Sequence, residues 1–97
     1  MNAKAKGNRI ERKCIQLLES VGYSCIRSAA SLGAFDIIAV NRLGVRCIQV
    51  KANDWPRPPE REVMQIAALN LPANATVECW RWNDGEKTPI IKALQEF

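Results

Sequence analysis

The sequence predicts one α/β domain whose elements follow in the order α-β-β-β-α-β. Two observations lead to this prediction. First, two apolar segments, residues 35–40 and 45–51, are joined by the turn Asn41-Arg42-Leu43-Gly44, as in a β-hairpin. Second, apolar side chains recur with helical spacing in two stretches on either side of that hairpin, residues 8–21 and 59–71.

The remaining elements follow from local signals. Residues 23–28 have the composition of a strand, and residues 76–82 alternate as a strand does, with Trp80 and Trp82 on one face. Three prolines in the segment 53–59 exclude a helix or a central strand there. The signals leave residues 89–94 open between a short strand and a terminal helix.

Domain organisation is equally simple. A chain of 97 residues has room for one hydrophobic core. Residues 1–7 are polar and basic, so we expect a flexible basic arm followed by a single folded domain over residues 8–97. No apolar run reaches the roughly 20 residues that a membrane span needs.

The cysteines and the absence of histidine exclude several kinds of chemistry. The four cysteines lie far apart in apolar segments, which predicts buried free thiols in a reducing, cytoplasmic setting such as the nucleoid or a site of phage or viral replication. Without histidine, Ser-His and Cys-His nucleophiles are excluded, and a zinc site has no suitable ligand spacing. Catalysis would therefore depend on carboxylates, lysine, or a metal bound by oxygen atoms.

Charge is spread unevenly along the chain. Residues 1–57 contain ten Lys and Arg against four Asp and Glu, a net charge of +6, whereas residues 58–97 contain four against six, a net −2. A basic half suggests a polyanionic partner, first of all nucleic acid. A solvated surface with a chance excess of cations would give the same count.

Four polar positions form the candidate site. Asp36 and Lys51 stand in the apolar hairpin, where a charge costs free energy unless it is paired, metal-bound or solvated. Gln49 and Lys51 share one strand face because the side-chain period is two. Glu11 lies at the edge of the apolar stripe of the first helix. Two carboxylates with an amide or the Val50 carbonyl make an oxygen site suited to Mg²⁺ or Mn²⁺.

Each of these residues has a structural alternative. Glu11 could belong to a capping box with Asn8, and Asp36 could cap the loop before its strand. Lys51 could extend from a strand end to water, and Gln49 could be a cross-strand amide. Taken together, the set favours a metal site.

The residues also carry a family resemblance. Four stretches, in this order and spacing, resemble the archaeal-type Holliday junction resolvases of the PD-(D/E)xK nuclease superfamily: Gly7-Asn8-Arg9-Ile10-Glu11-Arg12, Arg27-Ser28-Ala29-Ala30-Ser31, Phe35-Asp36-Ile37-Ile38-Ala39 and Ile48-Gln49-Val50-Lys51. The resemblance covers residues 7–52. It implies a restriction-endonuclease-like mixed sheet flanked by helices, often in a homodimer, and a metal-dependent endonuclease acting on branched DNA in recombination and repair.

Carried over by position, the resemblance makes Glu11 and Asp36 metal ligands and Lys51 the catalytic lysine. Where the family has glutamate this chain has Gln49, which keeps an oxygen ligand but removes one negative charge. Weaker metal binding, a preference for Mn²⁺ and loss of activity are the three consequences left open.

Predicted DNA contacts come from two sources. Arg12, Arg27 and Ser31 match family positions that contact DNA or organise the site. Lys6 and Arg9 could follow phosphates from the arm, and Trp55 could meet the substrate beside Lys51. Two other functions remain open: a nuclease of the same superfamily acting on flaps, nicks or other DNA, and a catalytically weak nucleic-acid-binding module.

Overall fold

A computed structural model describes residues 3–27 and 34–97, apart from the side chains of residues 3–5. The chain forms helix α1 (Ala3–Ser20), strands β1 (Ser24–Arg27), β2 (Ile37–Asn41) and β3 (Gly44–Ala52), helix α2 (Pro58–Ala68), and strands β4 (Ala75–Trp82) and β5 (Ile90–Ala93). A short 3₁₀ turn, Leu94–Glu96, follows. The predicted order is confirmed, and the undecided tail is a strand followed by this turn.

The five strands form one mixed sheet in the order β1-β2-β3-β4-β5. Neighbouring strands are antiparallel except β3 and β4, which are parallel and joined through α2. The β2–β3 turn is closed by the side chain of Asn41, whose Oδ1 accepts hydrogen bonds from the backbone N–H groups of Leu43 (2.9 Å) and Gly44 (3.2 Å). The predicted sheet with flanking helices is therefore confirmed.

The two faces of the sheet carry separate cores. One face packs against the apolar stripe of α1, and its buried members are Ile10, Cys14, Leu18, Ile37, Ala39, Ile48, Val50, Trp80 and Trp82. The other face packs against α2 through a smaller cluster, Ala34, Met64, Cys79 and Leu94. Trp80 and Trp82 lie on one face of β4 as predicted, and with only 3% and 4% exposure they pack in this core.

The cysteines follow the prediction of buried free thiols with one exception, Cys25, which is half-buried. All four are free thiols, and Cys14, Cys47 and Cys79 are buried. Burial raises the pKa of Cys14 to about 12, even though its sulfur accepts a hydrogen bond from Trp82 Nε1 at 2.9 Å. Burial likewise raises the pKa of Cys79 to about 11. These thiols are therefore packing groups and poor nucleophiles at neutral pH. Within the described residues, no helix is long and apolar enough to cross a membrane.

Helix α1 begins earlier than the sequence suggested. We predicted a start at Asn8, but the helix begins at Ala3, so residues 3–7 of the expected arm continue the helix. The alternative of a capping box at Asn8 and Glu11 is therefore excluded, because both residues lie inside the helix. Two tertiary contacts support this extension: an ion pair between Lys6 Nζ and Asp84 Oδ1 at 2.8 Å, and a hydrogen bond from Arg27 to Asn8 Oδ1. Alanine and lysine in the first turn also favour helix.

A buried ion pair ties β3 to β4 near the end of the sheet opposite Lys51. Glu78 is 7% exposed and accepts two hydrogen bonds from Arg46, of 2.5 and 2.8 Å. Thr76 Oγ1 and Trp80 Nε1 donate to the same carboxylate at 2.7 and 3.1 Å. The guanidinium of Arg46 also lies over the rings of Tyr23 and Trp80. The Glu78 carboxylate therefore has three protein donors and is mostly buried, which is typical of an ion pair that stabilises the fold.

Candidate metal and nucleic-acid site

The site is centred on Asp36, which lies just before β2 and not within it. Its backbone N–H donates to the carbonyl of Ile48 at 2.8 Å, and its Oδ2 accepts the N–H of Val50 at 2.8 Å. At this end of the hairpin, the Asp36 carboxylate therefore accepts a backbone hydrogen bond that a carbonyl of a neighbouring strand would otherwise accept. This contact fixes Asp36 beside the Gln49-Val50-Lys51 segment of β3, as the hairpin in the sequence predicted.

Glu11 reaches this region from α1. Its Oε1 accepts a hydrogen bond from Arg27 Nε at 2.7 Å, and the same guanidinium donates to Asn8. The side chain of Glu11 is only 18% exposed, against 41% for Arg27. Arg27 therefore joins the last residue of β1 to the middle of α1 and orients the Glu11 carboxylate at the edge of the core.

The charges of Glu11, Arg27 and Lys51 all influence the pKa of Asp36. Burial raises the pKa of Asp36 above its ordinary value, and the charge of Glu11 raises it further. The hydrogen bond from Val50 and the charges of Lys51 and Arg27 act in the opposite direction but do not offset this increase. Two carboxylates and two cations are thus brought close enough to influence one another, although they come from four different elements.

Strand β3 presents its polar side chains as predicted. Val50 is buried in the core that faces α1, while Gln49 and Lys51 are half-buried on the opposite face. Parallel pairing places Gln49 beside Cys79 and Lys51 beside Arg81. Gln49 and Lys51 therefore share one face, and the Val50 backbone lies between them next to Asp36.

Sequence reasoning missed one residue of this site. Lys51 Nζ forms an ion pair with Glu60 Oε2 at 3.0 Å, and Glu60 stands in the first turn of α2. An acid in a helix's first turn is common for reasons of the helix dipole alone, so nothing in the sequence singles Glu60 out. The start of α2 is fixed by Pro56, which is fully buried and whose carbonyl accepts a hydrogen bond from Arg61 at 3.1 Å.

The set of acids is smaller than a fully acidic metal centre requires. Among residues 3–27 and 34–97, no three His, Cys, Asp or Glu side chains come together in an arrangement that could hold a metal ion. The oxygen ligands of the predicted set are the carboxylates of Asp36 and Glu11, the amide of Gln49 and the carbonyl of Val50. They are hard oxygen ligands of the kind Mg²⁺ and Mn²⁺ accept, with one negative charge fewer than three acids would give.

The predicted DNA-contacting residues divide into four groups. Arg9 and Arg12 are exposed on α1, whereas Lys6 and Arg27 are engaged in ion pairs. Trp55 is half-buried in the loop before α2 and packs against the smaller core. Ser31 lies outside the described residues.

Comparisons with known proteins agree with this architecture. A family model described as archaeal Holliday junction resolvase (hjc) matches residues 2–57. Among solved structures, a Holliday junction resolvase (Hjc) from the archaeal hyperthermophile Archaeoglobus fulgidus is similar to this chain, with a TM-score of 0.78 and 23% identity. That match covers 93% of this chain and 74% of the other. No curated protein matches.

Proposed function

The chain belongs to the archaeal Holliday junction resolvase family, and from this premise we propose that it is a metal-dependent endonuclease that cuts branched DNA, four-way junctions foremost. The observation that carries the proposal is the Asp36 carboxylate held at 2.8 Å on the Val50 N–H, beside Gln49 and Lys51. Asp36, Gln49 and Lys51 fall within the stretch that the family model matches, as does Glu11.

In the proposed site, Glu11, Asp36, Gln49 and the Val50 carbonyl would hold Mg²⁺ or Mn²⁺. When bound, such a cation polarises a phosphate oxygen and lowers the pKa of a coordinated water. Lys51 supports the reaction from the neighbouring strand position, where its ammonium group stabilises the negative charge that develops on the phosphate and helps to orient the attacking water. Arg27 keeps the Glu11 carboxylate directed towards the site through its 2.7 Å hydrogen bond.

We further propose that the chain acts as a homodimer, because two sites related by a two-fold axis suit the two strands of a junction. Exposed apolar side chains support this proposal. They lie on α2 (Val63 and Ile66), just after it (Leu69) and on the edge strand β5 (Ile90 and Ile91). If the protein is a dimer, light scattering at micromolar concentration should give twice the mass of the monomer.

A second function is favoured by one observation, the lack of a three-acid group in the described part of the chain. With Gln49 in place of an acid, the protein would bind structured nucleic acid and cut it slowly or not at all. Calorimetric titration with Mn²⁺ in the absence of DNA separates the two functions. Binding at millimolar or lower concentrations supports the nuclease, and no binding combined with no cleavage supports the binding module.

The direct test of the nuclease is a substrate panel. Purified protein is incubated with a synthetic four-way junction, a flap, a nicked duplex and a linear duplex, each with Mg²⁺, with Mn²⁺ and with chelator. We expect metal-dependent nicks in the junction and little cleavage of the linear duplex. Preferential cleavage of flaps or nicks would retain the nuclease chemistry and change the substrate.

The Lys51–Glu60 ion pair supplies a sharper prediction. Replacing Glu60 with glutamine is expected to lower kcat about tenfold, because Lys51 loses the carboxylate that holds its ammonium group at 3.0 Å. DNA affinity should stay the same or rise, since the change removes a negative charge from a surface that meets phosphates.

The matched control is Glu62→Gln, the same change at an exposed position two residues further along α2. It should leave kcat unchanged. A Glu60→Gln variant with normal kcat and weakened DNA binding would contradict a positioning role for Glu60.

A further inference from the structure

Beside Lys51, on the face that packs against α2, two aromatic rings are surrounded by three cations. The rings of Trp55 and Phe97 meet edge to face, with centroids 5.6 Å apart. Lys92 Nζ lies 4.7 Å from the Phe97 centroid and 5.5 Å from that of Trp55. Arg81 lies over Trp55 at 5.6 Å and Arg61 over Phe97 at 5.2 Å. We refer to these five residues as the cation–aromatic patch.

The patch is continuous with the candidate site through the sheet register. Arg81 on β4 pairs with Lys51 on β3, and neighbouring residues of a parallel pair project to the same face. Lys92 on β5 pairs with Cys79, two residues before Arg81 on that same face. The cations of the patch therefore start beside the Lys51–Glu60 ion pair and extend across β4 and β5 towards the sheet edge.

The three cations of the patch form no ion pair with any described residue. In the part of the chain that the structure describes, neither Arg61, Arg81 nor Lys92 has a carboxylate within ion-pair distance. Every Asp and Glu of the sequence lies in that part. Arg81 Nε donates to the neutral Asn83 Oδ1 at 2.9 Å, and Arg61 donates to the Pro56 carbonyl. These contacts orient the cations but leave their charge for a ligand.

The setting of the Trp55 ring is suited to ordering cations for phosphates rather than to stacking on bases. Trp55 is half-buried, with two cations near its ring, so the ring is already engaged. A cation over an aromatic ring keeps its charge while losing part of its side-chain freedom. That ordering lowers the entropy cost of binding an anion at fixed spacing.

We propose that the cation–aromatic patch binds the phosphate backbone of a DNA segment beyond the phosphate that is cut. This proposal deepens the proposed function and depends on it for the class of ligand. The exposed cations Arg9 and Arg12 lie on α1, across the sheet from the patch. Backbone contacts on both sides of Asp36 would hold two diverging arms of a branched substrate, independently of sequence.

The test measures binding without cleavage. Fluorescence anisotropy records affinity for a labelled four-way junction in chelator over a series of salt concentrations. Arg81→Gln and Lys92→Gln are each expected to weaken binding severalfold at 0.1 M salt. Each should also reduce the slope of log affinity against log salt by about 0.9, the value for one lost phosphate contact on duplex DNA. Arg81→Lys should keep the slope close to that of the wild type.

The matched control is Arg42→Gln, which removes the same charge from the exposed β2–β3 turn at the opposite end of β3 from Lys51. The proposal is overturned if Arg81→Gln and Lys92→Gln change slope and affinity no more than Arg42→Gln does. It is also overturned if they weaken binding only to unpaired oligothymidine, which would indicate base stacking. Thermal unfolding of each variant confirms the fold, and Lys92→Gln decides the matter if Arg81→Gln does not fold.

Failure of the proposed function gives a different result. Suppose that the wild-type protein binds the junction through the patch but does not nick it in the presence of metal. This result would support the proposal for the patch and contradict the proposed nuclease activity. If the protein nicks the junction and both patch variants bind it as the control does, the nuclease activity is supported and the proposal for the patch is contradicted.

Discussion

Replacing Asp36 with asparagine is expected to lower the rate of junction nicking about a thousandfold, equivalent to roughly 4 kcal/mol at 1.36 kcal/mol per factor of ten. The substitution removes one of the two carboxylates of the proposed metal site. Asparagine preserves the shape of the side chain, and its oxygen can still accept the Val50 N–H, so the hairpin should keep its register. Single-turnover cleavage at saturating enzyme measures this loss at the chemical step.

Metal binding distinguishes the roles within the site. Asp36→Asn should weaken Mn²⁺ binding in calorimetry, whereas Lys51→Ala should abolish nicking and leave that binding intact. Asp54→Asn provides the control, since Asp54 is exposed in the loop after β3 and, among the residues that the structure describes, its carboxylate accepts only the N–H of Trp55. Nicking that survives both Asp36→Asn and Lys51→Ala would refute the assignment of the site.

The second large effect concerns stability. Replacing Glu78 with alanine is expected to lower the free energy of unfolding by about 3 kcal/mol, because Arg46 would stay charged and mostly buried without its partner. The Trp80 N–H would also lose its acceptor. For a domain of this size, the midpoint of thermal unfolding should fall by roughly 10–20 °C. Glu86→Ala, at an exposed position after β4, should change the midpoint little.

A double substitution tests whether the loss comes from the unpaired charge. Replacing Arg46 with Met and Glu78 with Leu removes both charges together, and it should recover much of the stability that Glu78→Ala loses. If the double variant is as unstable as Glu78→Ala, we would infer that the loss of stability comes from packing against Tyr23 and Trp80 instead.

The same ion pair gives stability a defined pH dependence. Burial by itself raises the pKa of Glu78, but hydrogen bonds from Arg46, Thr76 and Trp80 outweigh burial and lower it below the ordinary 4.5. Between the lowered folded value and 4.5, the unfolded chain binds more protons than the folded one, so stability rises with pH. The contribution of Glu78 to the free energy of unfolding is therefore complete above about pH 4.5. It is lost as the pH falls through the pKa that Glu78 has in the folded protein. Urea unfolding of wild type and Glu78→Gln across this range should show the two converging at low pH.

The sequence by itself determined the parts of the site that lie on one hairpin. The apolar runs and the turn between them place Asp36 next to β3, and the two-residue period places Gln49 and Lys51 on one face with Val50 in the core. These are local relations, since side-chain direction along a strand and the closing of a short turn depend on neighbouring residues. The apolar stripe of α1 and the prolines at the start of α2 could also be predicted from the sequence, because they too depend on neighbouring residues.

Only the tertiary structure decided which charges meet. Whether Glu11 is a helix cap or a site residue depended on Arg27, sixteen residues away, and on the start of α1 at Ala3, which its contacts with Asp84 and Arg27 support. The pairs Lys51–Glu60 and Arg46–Glu78 form because α2 crosses over the sheet and brings β4 parallel to β3. Such contacts are set by sheet order and helix packing, which no local pattern of residues encodes. The chain's pattern thus specified the hairpin carrying Asp36 and Lys51, and the packing of α1 and α2 on its two faces supplied Glu11 and Glu60.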